Sequence, residues 1–318
     1  MKKHQPIILL VLLIVLALFI TNCTKDEETD EQRREAVINE LNGEISADSI
    51  ESTVTWMQGM VTRFALSDNH RNVAKLIQAR FIKIGFPDAR IDSFLINKIY
   101  QNINYHQWQY NIIAALRGST YPDSVCVIGA HYDDNLKTGD PFSTIPGAND
   151  NARGVAAAIE IARVMKKNNY SPKNSIEFIA FGAEELGLFG STAYATESLQ
   201  ISKKIKFMLN NDMIAYQPSG DQLDWAVNII DYDNSHTLRS AAEKICQKFT
   251  VLNHINDNTY NKQSDSYPFF TKGYKALFFF SANVDPNYHT LYDFVENCNF
   301  DYCREIVKLS NALLVNNN

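Results

Sequence analysis

The chain has 318 residues, 45% hydrophobic and 21% charged, with 13 glycines and 9 prolines, which excludes a collagen-like or wholly disordered polymer and supplies a large buried core. Its formal charge is −6, from 30 Lys and Arg against 36 Asp and Glu. No stretch gathers the basic residues on one face, so nucleic acid is not the expected partner.

Lys2, Lys3 and Pro6 precede 14 uninterrupted apolar residues, 7–20, which stop at Thr21, Asn22 and Cys23. A bilayer-spanning helix needs about 20 apolar residues and a signal-peptide core about 7 to 15, so the run fits export better than a permanent span. A cysteine directly after such a core is where a lipoprotein signal peptidase would cut and a diacylglyceryl group would be attached, although Asn22 is an imperfect match to the usual preceding residue. The expected organisation is a lipoprotein signal peptide over residues 1–22, a lipidated Cys23 with an acidic tether over 23–48, and one domain over 49–318. That arrangement places the domain outside the cytoplasm on a bacterial membrane, periplasmic or surface-facing; ordinary secretion with an incidental cysteine is the alternative. Four further cysteines, Cys126, Cys246, Cys298 and Cys303, allow three full pairings in an oxidising compartment, and none has zinc-ribbon spacing.

Within the domain, Ser67 and Asp68 are placed to cap a helix whose stripe is Val73, Leu76, Ile77, Arg80, Phe81 and Ile84, ended by Gly85. Apolar runs at 110–116, 125–130, 176–181, 206–209 and 276–280 read as strands covered on both faces. Helical patterns lie at 151–167, 235–249 and 302–315. Alternating strands and helices predict an α/β class: a three-layer α/β/α sandwich around a mostly parallel or mixed sheet.

The residues that follow those strands carry the chemistry. The run ending at Ala130 leads into His131-Tyr-Asp133, and the run ending at Phe181 leads into Gly-Ala-Glu184-Glu185. The third leads into Asn-Asn-Asp212, and the last into a loop carrying His289. Functional groups collect at the carboxyl ends of strands in open α/β sheets, so these residues should converge. Histidine and carboxylate donors without cysteine suit a catalytic rather than a structural zinc site. Asp150 precedes a helix and could offer one oxygen to each of two metals, while Asp133 could accept the second ring N–H of His131 and orient it. Taken singly, Asp150 would be an N-cap, the two glutamates exposed loop acids, Asp212 a turn residue, and either histidine a surface or core residue. His4, His70, His106, His236 and His254 show no accompanying carboxylate pattern, and the Phe run at 278–280 reads as core.

The stretches Pro146-Gly-Ala-Asn-Asp150-Asn-Ala-Arg-Gly154 and Phe181-Gly-Ala-Glu184-Glu185-Leu-Gly-Leu-Phe-Gly190-Ser, with His131-Tyr-Asp133, Asn211-Asp212-Met and Tyr288-His289-Thr, resemble the ordered motifs of metallopeptidase family twenty-eight. This zinc aminopeptidase family is related to glutamate carboxypeptidase and glutaminyl cyclase. The resemblance implies two Zn²⁺ ions, one held by His131 and Asp212, the other by Glu185 and His289, with Asp150 bridging. It implies Glu184 as general acid/base for a metal-activated water, and a peptide as substrate. One departure is Ser266, where many members carry His, which touches substrate positioning or turnover rather than metal binding. Two other classes stay open: a one-zinc glutaminyl cyclase, which would have tryptophan where this chain has Tyr288, and a non-catalytic surface lipoprotein of the same fold. Metabolic labelling with a fatty acid should mark the wild type, and Cys23→Ala should release the domain from the membrane fraction or leave the leader uncleaved; unlabelled, wholly soluble wild type would exclude the anchor.

Overall fold

The computed structural model describes residues 29–318; the apolar leader and Cys23 lie outside the described residues. No helix among the described residues is long and apolar enough to cross a membrane. The described residues divide into two units at Val37, the second being Ile38–Asn318. Of the first, the described part is the start of helix α1 (Asp30–Gly43), closed by a reciprocal cap in which Gln32 N–H donates to Thr29 Oγ1 and Thr29 N–H to Gln32 Oε1.

The second unit begins inside α1. Ile38 and Leu41 of α1 and Ile45, just beyond its end, are buried, and α2 (Ala47–Gln58) follows at once, with Ser46 Oγ accepting from Ser49 N–H. The compact unit therefore starts ahead of residue 49, and much of the stretch read as a tether is helical. A third helix, α3 (His70–Lys83), has Asn69 rather than Ser67 or Asp68 at its N-cap position and ends before Gly85, whose φ of +102° favours glycine.

The sheet has eight strands among the described residues: β1 (Arg90–Tyr100), β2 (Ile103–Leu116), β3 (Tyr121–His131), β4 (Asn174–Phe181), β5 (Lys204–Asn211), β6 (Ala226–Ile230), β7 (Asn253–Ile255) and β8 (Ala276–Ser281). Their order is β1-β2-β4-β3-β5-β8-β6-β7. The centre, β4-β3-β5-β8, is parallel; β2 joins β4 and β6 joins β8 antiparallel, making the sheet mixed. β1 and β2 form a hairpin through Gln101 and Asn102, both at positive φ as a two-residue turn of matching twist requires.

Helices α4 (Arg153–Lys167), α5 (Phe189–Gln200), α6 (His236–Phe249), α7 (Ser266–Thr271) and α8 (Phe300–Asn317) complete the layers. Strand alternation assigns the two faces. Phe178 of β4 meets Phe86, just after α3, at a centroid distance of 5.7 Å. Ile179 and Phe181 point the other way, into a core with Tyr194 of α5 and Phe269 of α7. The result is the expected α/β/α sandwich. Cys126, Cys246 and Cys303 are buried free thiols and Cys298 is a half-buried one, so none of the possible pairings is formed among them.

α4 starts directly against the strand ends. A Cβ on Gly154 would lie 2.1 Å from Asn211 O and 2.6 Å from Ala130 Cβ. Gly154→Ala should cost about 1–3 kcal/mol by overpacking and lower the thermal midpoint by roughly 2–4 °C per kcal/mol; an unchanged midpoint would show that this contact opens freely.

Candidate metal centre

The four parallel strands all deliver their carboxyl ends to one edge. β3 ends in His131, the turn after β4 carries Glu184 and Glu185, Asp212 follows β5, and His289 lies on the loop after β8. Three of these turns need left-handed backbone at residues that are not glycine: Ala183 (φ +57°), Met213 (+50°) and His289 (+57°). Each such residue costs of order 1–3 kcal/mol, and they cluster where the candidate ligands are aimed.

Asp150 lies at the centre. Its Oδ1 is 3.2 Å from His131 Nε2, which is also 3.5 Å from Asp212 Oδ1. Its Oδ2 is 2.9 Å from His289 Nε2, which is 2.8 Å from Glu185 Oε1. Among the described residues the donor atoms form three groups, each with its atoms within 4.8 Å of one another: His131–Asp150–Asp212 and Asp150–Glu185–His289, which share Asp150, and His131–Glu184–Glu185, which takes a member from each of them. Glu184 Oε2 stands 3.9 Å from His131 Nε2, beside the first group.

Two buried oxygens in these groups, Asp150 Oδ2 and Asp212 Oδ1, face no donor except an imidazole nitrogen, His289 Nε2 at 2.9 Å and His131 Nε2 at 3.5 Å. Burying a carboxylate is costly, and buried oxygens whose only polar neighbours are imidazole nitrogens are what ligands converging on a cation present. Nitrogen and oxygen donors without thiolate fit zinc. Asp150 is not the cap of α4: Asn151 Oδ1 accepts from Gly154 N–H at 2.9 Å while its Nδ2 donates to Asn211 O, which leaves the Asp150 carboxylate free.

Charge follows from this crowding. Burial and the Asp150 charge push Glu185 up to about 8, against His289. Burial likewise holds Glu184 well above the usual carboxylate range, with His131 opposing. For Asp150, burial is outweighed by hydrogen bonds from both imidazoles, and the group is lowered. Burial depresses His289, but Asp150 and Glu185 overcome it and carry the imidazole up to about 10.

Asp133 is a correction. His131 Nδ1 lies 3.1 Å from the Asp133 backbone carbonyl, while the Asp133 carboxylate is 3.8 Å away. The carboxylate instead accepts the backbone N–H groups of Glu184 at 3.0 Å and Glu185 at 3.1 Å, holding the turn that bears both. Asp133 therefore does orient His131, but through its main chain, because the turn after β4 claims its side chain.

Other supporting residues had no local sequence signal. Asp293 accepts from Asn149 N–H at 2.7 Å and Asp150 N–H at 2.9 Å. Ser264 donates to Asp212 Oδ2 at 2.6 Å. Each sits far along the chain from its partner; only Asp293's place shortly after His289 hinted at it. Ser266 is buried and belongs to none of the donor groups, its hydroxyl 2.8 Å from that of Tyr232. Of the histidines set aside, His236 does meet a carboxylate, Asp231 at 2.6 Å, outside this cluster.

The cavity beside the two groups is walled by Met213, Tyr260, Phe278, Phe280, Val284 and Tyr288. The Phe run thus divides by alternation: Phe279 is buried core, whereas Phe278 and Phe280 reach the cavity. Tyr288 stacks on His289 at 3.9 Å between centroids.

Comparison with known proteins follows the same lines. The sequence model of Peptidase family M28 matches residues 111–314. A probable zinc metalloprotease of Pyrenophora teres f. teres is 29% identical over 268 residues, covering 78% of this chain; the chain spans only 57% of that relative's length. Leucine aminopeptidase 1 of Ajellomyces capsulatus is 25% identical over 293 residues, covering 88% of this chain and 73% of that protein. The LapA aminopeptidase of Legionella pneumophila shares the fold with a TM-score of 0.74 at 24% identity, covering 88% of this chain and 73% of that one.

The neighbouring carboxylates raise the proton affinity of both imidazoles against the effect of burial, so zinc competes with protons there and apparent affinity should rise about tenfold per pH unit for each proton released. Between pH 6 and 8, chelator-competition titrations should show that increase; a flat profile would contradict it. The opposite sign holds for the metal-free fold. The His289 contribution is full below its ordinary value of 6.5 and fades as pH rises through about 10.

Proposed function

We propose that this chain, which belongs to peptidase family M28, is a di-zinc aminopeptidase that removes N-terminal residues from peptides. The observation that carries this reading is one carboxylate, Asp150, shared between two three-residue donor groups. His131 and Asp212 would complete one zinc set and Glu185 and His289 the other. When bound, such a pair supplies Lewis-acid polarisation of the scissile carbonyl and lowers the pKa of the attacking water.

The chain's own residues account for the rest. Glu184 lines the cavity without a place in either Asp150-sharing group, and burial keeps its proton affinity high. It takes a proton from the attacking water and returns it to the leaving amine, a role contributing about 100- to 10,000-fold. Tyr288 faces the same cavity, and burial with the surrounding carboxylates keeps its phenol protonated, so it can donate to the substrate carbonyl oxygen. The carboxylates attract the α-ammonium of a free N-terminus, and the wall of Met213, Phe278, Phe280 and Val284 accommodates an apolar side chain. Lipid attachment at Cys23, with the domain outside the cytoplasm, belongs to the same proposal and rests on the leader alone. A one-zinc cyclase would leave the second donor group without a role.

Mass spectrometry of a free peptide and its N-acetylated twin tests the reading. The zinc-loaded protein should shorten the first from its N-terminus and spare the second. Glu184→Gln should retain zinc while activity falls at least about 100-fold, and Asp150→Ala should lose metal as well. Ammonia loss from N-terminal glutamine without shortening would favour a cyclase, and zinc lost from Glu184→Gln but kept by Asp150→Ala would overturn the assigned roles.

A further inference from the structure

We propose that Arg63, which touches no ligand atom, is a positioning residue for the metal centre: its guanidinium ties the loop that presents His131 to the loop that presents Asp150. The inference rests on the reading of those residues as zinc ligands.

Arg63 lies between α2 and α3 and is fully buried. Its Nε donates to Tyr132 O at 2.8 Å, in the segment that leaves β3 directly after His131. Its Nη1 donates to Pro146 O at 3.1 Å and its Nη2 to Gly147 O at 2.7 Å, at the start of the turn that carries Asp150. A further bond from Nη1, to Met57 O at 3.3 Å, ties both loops to α2. One planar group with donors in a fixed fork thus sets the spacing of two loops that no sheet hydrogen bond joins.

The surroundings are built for that group. Asp134, fully buried and three residues past His131, compensates the charge, with Oδ2 3.5 Å from Nη1 and both oxygens 3.1 Å from Arg63 N–H. Gly147 leaves the space: a Cβ there would stand 2.4 Å from Arg63 Nη2. The contacts are to main-chain carbonyls, so the guanidinium constrains where the loops run without competing for the Asp150 or His131 donor atoms. Lysine would keep the charge, but three donors radiating from one nitrogen cannot reproduce the fork.

A purely architectural role would lower the stability of the metal-free protein and leave the zinc affinity of the folded molecules unchanged, whereas a positioning role moves affinity itself. The test uses wild type, Arg63→Lys, and the double variant Arg63→Met/Asp134→Asn, which removes both buried charges together. Each is stripped of metal, checked for a cooperative thermal transition, then titrated with Zn²⁺ against a chromogenic chelator. Both variants should bind zinc about tenfold or more weakly than wild type, in the range seen when groups supporting metal ligands are removed. The absorption spectrum of one equivalent of Co²⁺ should change with them. If either variant folds and its zinc affinity stays within about twofold of wild type, the positioning role is overturned even where the thermal midpoint has dropped. Zinc refused by wild type as well would overturn the ligand assignment itself and this inference with it.

Discussion

Repulsion among buried carboxylates governs this molecule. Asp150, Glu184, Glu185 and Asp212 line one cavity, with Asp133 and Asp265 also buried, and the groups that oppose them there are the imidazole of His131, in the cavity wall, and that of His289, against Asp150 and Glu185. Burial of this kind is tolerable only when cations or hydrogen bonds compensate it. The imidazoles respond by holding their protons, and burial drives Glu184 and Glu185 toward their neutral forms. A divalent cation in each donor group that shares Asp150 would relieve the same repulsion more completely, and the two oxygens on Asp150 and Asp212 that only an imidazole faces mark where it would act.

The ligand side chains stay free because the loops bearing them are held by their backbones. Asp133 binds the main chain of Glu184 and Glu185, Asp293 that of Asn149 and Asp150, and Arg63 the carbonyls of Tyr132, Pro146 and Gly147. Asn151 takes the capping work that Asp150 would otherwise do. Two ligand side chains are held directly: Ser264 bonds one Asp212 oxygen, leaving the other to face His131 Nε2, and the Asp133 carbonyl meets His131 Nδ1. Such restraint reduces the conformational freedom lost when a metal or substrate binds, and it allows left-handed residues at Ala183, Met213 and His289 to persist.

Much of the architecture was legible. The five strand runs lie within observed strands, because doubly covered strands are continuous apolar stretches; the helical pattern at 302–315 lies within α8, and those at 151–167 and 235–249 match α4 and α6 to within one or two residues at the start. β1, β6 and β7 were not found: β1 is half-exposed and mixes polar with apolar residues, and β6 and β7 are short. α1 was hidden by its acidic first half, and α5, with Gly, Ser and Thr in its first turns, carries little helical signal.

By itself the sequence determined which chemical groups follow each parallel strand, since strand, turn and ligand are contiguous in His131, Glu184, Glu185 and Asp212, and parallel strands bring their ends to one edge. It also carried the glycines that let α4 and the Asp150 turn come close, at Gly154 and Gly147. Only the tertiary structure decided how those groups are shared and held: that Asp150 faces two donor groups, that Asp133 orients His131 through its carbonyl, and that Arg63, Ser264 and Asp293 support ligands distant in the chain. A local pattern records local geometry, whereas these contacts join separate loops whose spacing exists only once the sheet and its helices have packed.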